Sequence, residues 1–201
     1  GGLFYFGKRQ DKRCASGGNN VMKNYDCIFL DRDGTLNPDP GYISTIDDYS
    51  FFNNTITSLK RMAEAGNRFC IITNQSGVAR GLIQEEDLNE IHEFIRSQFE
   101  KNNIPLLGIY ECHDHPDQAS DRRKPGPGMF LEAEAEHNLN LMDCMMIGDS
   151  KADMSAGEML GMDTILVLTG KGMETINFLP EYETPTYIVK DLAEGAQKIC
   201  L

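Results

Sequence analysis

Cys27-Ile28-Phe29-Leu30 is an apolar run that Asp31-Arg32-Asp33-Gly34-Thr35 cuts off at once. A run this short and this apolar reads as a buried strand, because a helix needs roughly ten residues or more. Strands buried on both faces belong to parallel sheets covered by helices on either side. That requirement constrains the fold more than any other feature of the chain. Side chains at i and i+2 of an extended segment share a side, so Asp31 and Asp33 face one site where the strand emerges. Two carboxylates that close repel each other unless a proton or a cation intervenes, and hard oxygen donors suit Mg2+. Gly34 allows a tight exit turn.

The rest of the chain alternates in the way such a sheet requires. A helix over 54–65 carries Ile56, Leu59 and Met62 on one face and closes at Gly66. A strand follows over 68–73, then a helix over 84–102 with Leu88, Ile91, Phe94, Ile95 and Phe99 at helical spacing. Further strands are expected at 107–112, 144–147, 164–168 and 187–189. Helices are expected at 126–138, after 147 to about 160, and from Asp191 onward. Glu132, Glu134 and Glu136 read as a solvated helix face. The pattern predicts an α/β fold, a Rossmann-like parallel sheet with helices on both faces. Ligands of such sheets bind beyond the carboxyl ends of the strands. The segments 37–52 and 113–123 are too short for a large cap domain. Residues 1–21 read as a flexible N-terminal extension or leader, and residues 22–201 as the folded domain.

The formal net charge is −12, and residues 1–21 hold four basic residues against Asp11 alone. So acidic a surface repels nucleic-acid backbones, and no nucleic-acid partner is expected. An anionic substrate would need a local positive cluster, for which Arg122, Arg123 and Lys124 are the candidates. No apolar stretch approaches the ~20 residues that span a bilayer, so no membrane partner is expected. Six cysteines without a compact disulfide spacing fit a reduced, cytoplasmic setting. A monomer is expected.

Two more strand ends and one helix start carry polar residues suited to phosphate. The second strand ends in Thr73-Asn74-Gln75-Ser76-Gly77-Val78-Ala79-Arg80-Gly81, where a hydroxyl and backbone N–H groups can bind phosphate oxygens. Arg123-Lys124-Pro125 precedes a helix, and Met146-Ile147-Gly148-Asp149 ends a strand with Asp153 four residues on. Singly, Thr-Asn is a turn, the basic cluster a surface patch, and Asp153 a favourable acid at a helix start.

Together, and in this order across residues 25–201, these motifs resemble those of the haloacid dehalogenase-like (HAD) phosphohydrolases. The resemblance implies that Asp31 is the nucleophile and Asp33 the general acid/base. It makes Thr73 a phosphate ligand and Lys124 the cation that neutralises the phosphoryl group. Mg2+ would be held by Asp31, the Asp33 backbone carbonyl and Asp149, with Asp153 the weaker candidate. The string Thr73–Gly81 is similar to the branch of heptose-bisphosphate and histidinol-phosphate phosphatases. Asp39-Pro40-Gly41-Tyr42 matches a substrate loop of the D-glycero-D-manno-heptose 1,7-bisphosphate phosphatases, and Asn74, Gln75, Ser76 and Arg123 are the other substrate-binding candidates.

What this implies is Mg2+-dependent removal of the 7-phosphate from that small phosphorylated sugar, through an aspartyl-phosphate, in lipopolysaccharide synthesis. Histidinol phosphate is the alternative substrate. A non-catalytic binding protein on the same scaffold would be expected to lose Asp31, Asp33, Lys124 or Asp149, and all four are present. The chain departs from the family in two places. Ser150 stands where a Lys often follows the motif aspartate. The usual zinc loop of three Cys and one His keeps Cys112 but lacks the second cysteine pair. Cys112, His113, Asp114 and His115 are consecutive and cannot easily all turn toward one ion, so zinc is not expected. Hydrogen bonds, with Pro116 and Pro125, are expected to hold that loop.

Overall fold

The computed structural model describes residues 24–181 and 183–200, so the expected leader at 1–21 lies outside the described residues. The apolar run that opens the chain's pattern is strand β1 (Ile28–Leu30), and all three of its residues are fully buried. Five more strands follow: β2 (Phe69–Asn74), β3 (Leu106–Cys112), β4 (Met145–Gly148), β5 (Asp163–Val167) and β6 (Tyr187–Val189). They form one sheet in the order β3-β2-β1-β4-β5-β6, with every pairing parallel.

Parallel pairing demands crossovers, and the helices supply them. They are α1 (Thr55–Glu64), α2 (Glu85–Lys101), α3 (Gly128–His137), α4 (Lys151–Met159), the single turn α5 (Gly172–Thr175) and α6 (Leu192–Ile199). Strand alternation divides the core in two. Ile28, Leu30, Phe69, Ile71, Met145 and Ile147 pack with α1, α2 and α6 on one face. Phe29, Cys70, Ile72 and Met146 pack with α3 and α4 on the other. Phe29 meets Phe130 edge-on at 5.1 Å, pinning α3 to the centre of the sheet.

Helix ends follow local chemistry. Gly66, at φ +92°, terminates α1 in a backbone region that other residues avoid. Ser150 and Asp153 form a capping box that starts α4 directly after β4. Only 3-10 turns, Ile46–Asp48 and Pro116–Gln118, interrupt the segments after β1 and β3, and no large cap covers that edge of the sheet among the described residues. The expected element boundaries agree to within about two residues. The single turn α5 carries no periodicity by which sequence could reveal it. The acidic face of α3 does more than meet solvent: Glu136 accepts a hydrogen bond from Tyr110 Oη at 2.6 Å, and Glu132 pairs with Arg122.

Candidate active site

Strand order reverses between β1 and β4, and beyond their carboxyl ends lies a cavity of about 390 Å3. Register places Leu30 between Ile71 and Ile147, so the residues just past these strands converge. Asp31 extends the ladder by one more bond, its N–H donating to Ile147 O at 2.9 Å. Asp149 follows β4 directly, while Thr73 and Asn74 end β2.

Lys124 ties these segments together from below. Its buried ammonium donates to Asp31 Oδ1, Asp153 Oδ1 and Ile72 O, each at 2.7 Å. All three donors of the ammonium are thereby used. Burial opposes the charge on Lys124, but Asp153 and Asp31 outweigh it and push the pKa up. Asp153, fully buried, turns its other oxygen to Ser150 N and Oγ at 3.0 and 2.6 Å. It therefore supports the site from behind and does not line the cavity.

Asp31, Asp149 and Asp153 each present a carboxylate oxygen within 4.8 Å of the others, and all three residues are buried. Burial, with repulsion from Asp153 and Asp149, raises the Asp31 pKa well above the carboxylate range despite Lys124. Burial and Asp153 likewise push Asp149 up to about 7, although Lys171 N–H donates to its Oδ2 at 2.7 Å. Three acids against one ammonium leave a surplus of negative charge that a hard divalent cation would balance, and the donor set fits Mg2+. The backbone is shaped around Asp149. A Cβ on Gly34 or on Gly170 would come within 2.1 Å of its Oδ2, and both glycines have positive φ.

Asp33 also lines the cavity, but its carboxylate is held by a separate set of donors. Arg32 grips it with a fork, Nε to Oδ1 at 2.9 Å and Nη2 to Oδ2 at 2.8 Å. Asn37 Nδ2 and Gln75 Nε2 donate to the same two oxygens at 2.9 and 2.7 Å. Burial would raise the Asp33 pKa, but Arg32, Asn37 and Gln75 hold it below its ordinary value. Gln75 also donates to Thr73 Oγ1 at 2.8 Å. Asn74 exchanges two bonds with the Lys124 backbone, at 3.1 and 3.0 Å, so it fixes Lys124 across the gap between β2 and α3.

Asp39, Gly41, Tyr42, Ser76 and Arg123 line the cavity's outer part, whereas Pro40 is exposed and does not. Arg123 Nη1 donates to Asp114 O at 3.1 Å, and Arg122 turns outward to Glu111 O and Glu132. In the loop after β3, His113 bonds Glu111 at 3.1 Å, Asp114 accepts from Ser120 N and Oγ, and His115 accepts from Asp117 N.

Sequence reasoning passed over three residues. Lys171, in the loop after β5, lines the cavity and pairs with Asp39 Oδ2 at 3.1 Å. Its place between two glycines at a strand's carboxyl end is the signal that could have found it. Arg32 and Asn37 carried no signal beyond their position within and beside the first motif.

A HAD-hydrolase-like family model matches residues 121–195. The D-glycero-beta-D-manno-heptose-1,7-bisphosphate 7-phosphatase of Photorhabdus laumondii is 38% identical over 163 residues, covering 77% of this chain and 87% of that one. The protein of the same name from Escherichia coli K12 is 34% identical over 188 residues, covering 89% and 96%. Among solved structures, D,D-heptose 1,7-bisphosphate phosphatase from B. bronchiseptica, complexed with magnesium and phosphate, superposes with a TM-score of 0.78. It is 31% identical, over 89% of this chain and 98% of that one. With the fold, the motif order and these likenesses in agreement, the chain belongs to the HAD-like phosphatases, in the branch that holds the heptose-1,7-bisphosphate 7-phosphatases.

Proposed function

We propose that this chain removes the 7-phosphate of D-glycero-β-D-manno-heptose 1,7-bisphosphate by way of a phosphate ester on Asp31. The observation that carries this reading is the Asp31 carboxylate itself. One oxygen is anchored on Lys124, and the other has no hydrogen-bond donor among the described residues, at the floor of a cavity that Thr73 and Asp33 also line. The names of the relatives support the choice of sugar.

In this mechanism Asp31 Oδ2 attacks phosphorus in line, and the bond from phosphorus to the sugar oxygen breaks. Asp33 gives that oxygen a proton, then takes one from the water that attacks phosphorus, which frees phosphate and restores Asp31. Lys124 and the Thr73 hydroxyl stabilise the phosphoryl oxygens. Mg2+ held by Asp31, Asp149 and the Asp33 carbonyl would supply further positive charge for those oxygens.

Asp39 to Tyr42, Asn74 to Ser76, Arg123 and Lys171 are assigned to the rest of the sugar bisphosphate. No described helix is long and apolar enough to cross a membrane. Free Cys27, Cys70, Cys112 and Cys144 favour a reduced, cytoplasmic setting. The 112–115 loop is assigned no zinc, because its His and Asp side chains already have partners in the protein.

Phosphate release with Mg2+ on heptose 1,7-bisphosphate, histidinol phosphate and a 5′-phosphorylated oligonucleotide tests the reading, with Asp31→Asn as control. The heptose should have the highest kcat/KM, and Asp31→Asn should be folded and inactive. A higher kcat/KM on histidinol phosphate transfers the assignment to that substrate. Near-normal turnover by Asp31→Asn removes the nucleophile.

A further inference from the structure

Arg32 is the largest fully buried side chain among the described residues, and no step of the proposed reaction uses it. Keeping a guanidinium out of water costs several kcal/mol unless its donors are met with good geometry. Here each of its three nitrogens has a partner, within a chain of side chains from three separate elements. The Nε and Nη2 edge forks onto Asp33, and Nη1 lies 3.2 Å from His92 Nε2, which comes from the buried face of α2. The other ring nitrogen, His92 Nδ1, lies 2.9 Å from Glu111 Oε2 on β3. Glu111 Oε1 in turn holds His113 Nε2 at 3.1 Å, near the surface. The Tyr49 ring packs 5.9 Å from the guanidinium carbon. Arg32 has only donors, so His92 Nε2 must accept, which places the ring proton on Nδ1, the nitrogen at ion-pair distance from Glu111. The tautomer is thus set by Arg32.

We infer that His92 and Glu111 are positioning residues: through Arg32 they fix the plane of the Asp33 carboxylate at the edge of the cavity. The inference rests on the assignment of Asp33 as the acid/base. The geometry supports positioning over mere packing because the chain is directional. Each member reaches the next with a different polar atom, and the chain begins on Asp33, which lines the cavity and takes none of its hydrogen bonds from Lys124. A bidentate fork transmits orientation as well as charge, since both oxygens are held in the guanidinium plane. Freeing Nη1 would let that plane rotate about the Arg32 side chain. Displacements on the scale of an ångström at a reacting group cost up to roughly a hundredfold in rate.

The test is steady-state kinetics on heptose 1,7-bisphosphate with Mg2+, with urea unfolding of each variant. His92→Leu removes both contacts. It should lower kcat by about tenfold or more, a fraction of the ~10²–10⁴-fold that a placed acid/base supplies. KM should stay within about twofold, because uniform binding is untouched. His92→Gln, whose Oε1 can accept from Arg32 while Nε2 donates to Glu111, should recover most of the loss. A merely structural role would lower activity only in proportion to the folded fraction and would not be rescued this way. If His92→Leu fails to fold, Glu111→Gln decides: it leaves the ring in place but weakens its anchor, and kcat should fall severalfold. Unchanged kcat in a folded His92→Leu, or in Glu111→Gln, overturns the inference, as does a rise in KM at constant kcat. Asp33→Asn run alongside separates the two layers. If that variant turns over normally, the Asp33 assignment has failed; if it is dead while His92→Leu is normal, only the positioning chain has failed.

Discussion

Replacing Lys124 by Met removes an ammonium and keeps an unbranched chain of similar length, so the change is almost purely electrostatic. Three bonds of 2.7 Å disappear, to Asp31, Asp153 and the Ile72 carbonyl. Asp153 keeps Ser150 as a partner through its second oxygen, whereas Asp31 loses its one side-chain donor among the described residues. Breaking a buried pair from one side costs about 3–5 kcal/mol, because a charge is left unmet, and that is the destabilisation expected above neutral pH. Acid should relieve it. Asp31 and Asp149 already have folded pKa values above their unfolded ones, Asp149 at about 7 against 3.8. Such groups bind more protons when folded, so their effect on stability is most favourable below the unfolded pKa and is lost as pH rises through the folded one. Losing Lys124 raises them further, so the variant's penalty should be small near pH ~5 and full near pH ~8. Urea unfolding of both proteins in EDTA, across that range, reads it directly. In the same variant kcat should fall about 10²–10³-fold, as when one preorganised donor to a developing charge is removed. A penalty under ~1 kcal/mol near pH ~8, or one that grows toward acid, would refute the reasoning about crowded carboxylates.

Lys171→Met should raise KM for heptose 1,7-bisphosphate roughly tenfold, the worth of one charge-assisted contact to an anionic group, and Lys171→Arg should restore it. Ser150 is spent on capping α4, whereas the Lys171 ammonium reaches the cavity with Asp39 as its partner; an unchanged KM would remove Lys171 from the binding site. Elemental analysis of protein made without a histidine tag should find no stoichiometric zinc after dialysis against a mild chelator. One equivalent of retained zinc would mean that His113 and His115 leave the hydrogen bonds they now make and join Cys112 on an ion.

Much of the fold was legible because its causes are local. A short unbroken apolar run, an amphipathic stripe, an acid at a helix start or a terminating glycine acts over a few neighbouring residues, so β1, α1, α2 and α4 could be read directly. The two aspartates of the first motif and Asp149 were legible for the same reason: carboxylates placed at the exit of a buried strand are costly to desolvate unless a cation or a ligand meets them there. Strand order was not legible, because every parallel crossover of adequate length satisfies the same local pattern. Nor could spacing reveal that Lys124 reaches Asp31 across 93 positions and Asp153 across 29. Arg32 carried no signal of its own between the two acids. Only closure of the fold, with α2 and β3 brought against it, supplied His92 and Glu111 and made burial of a guanidinium tolerable. The chain's own residues thus determined what each segment is and which groups sit at strand ends. Tertiary packing alone decided which of those groups meet, because desolvation and charge pairing depend on neighbours far away in sequence.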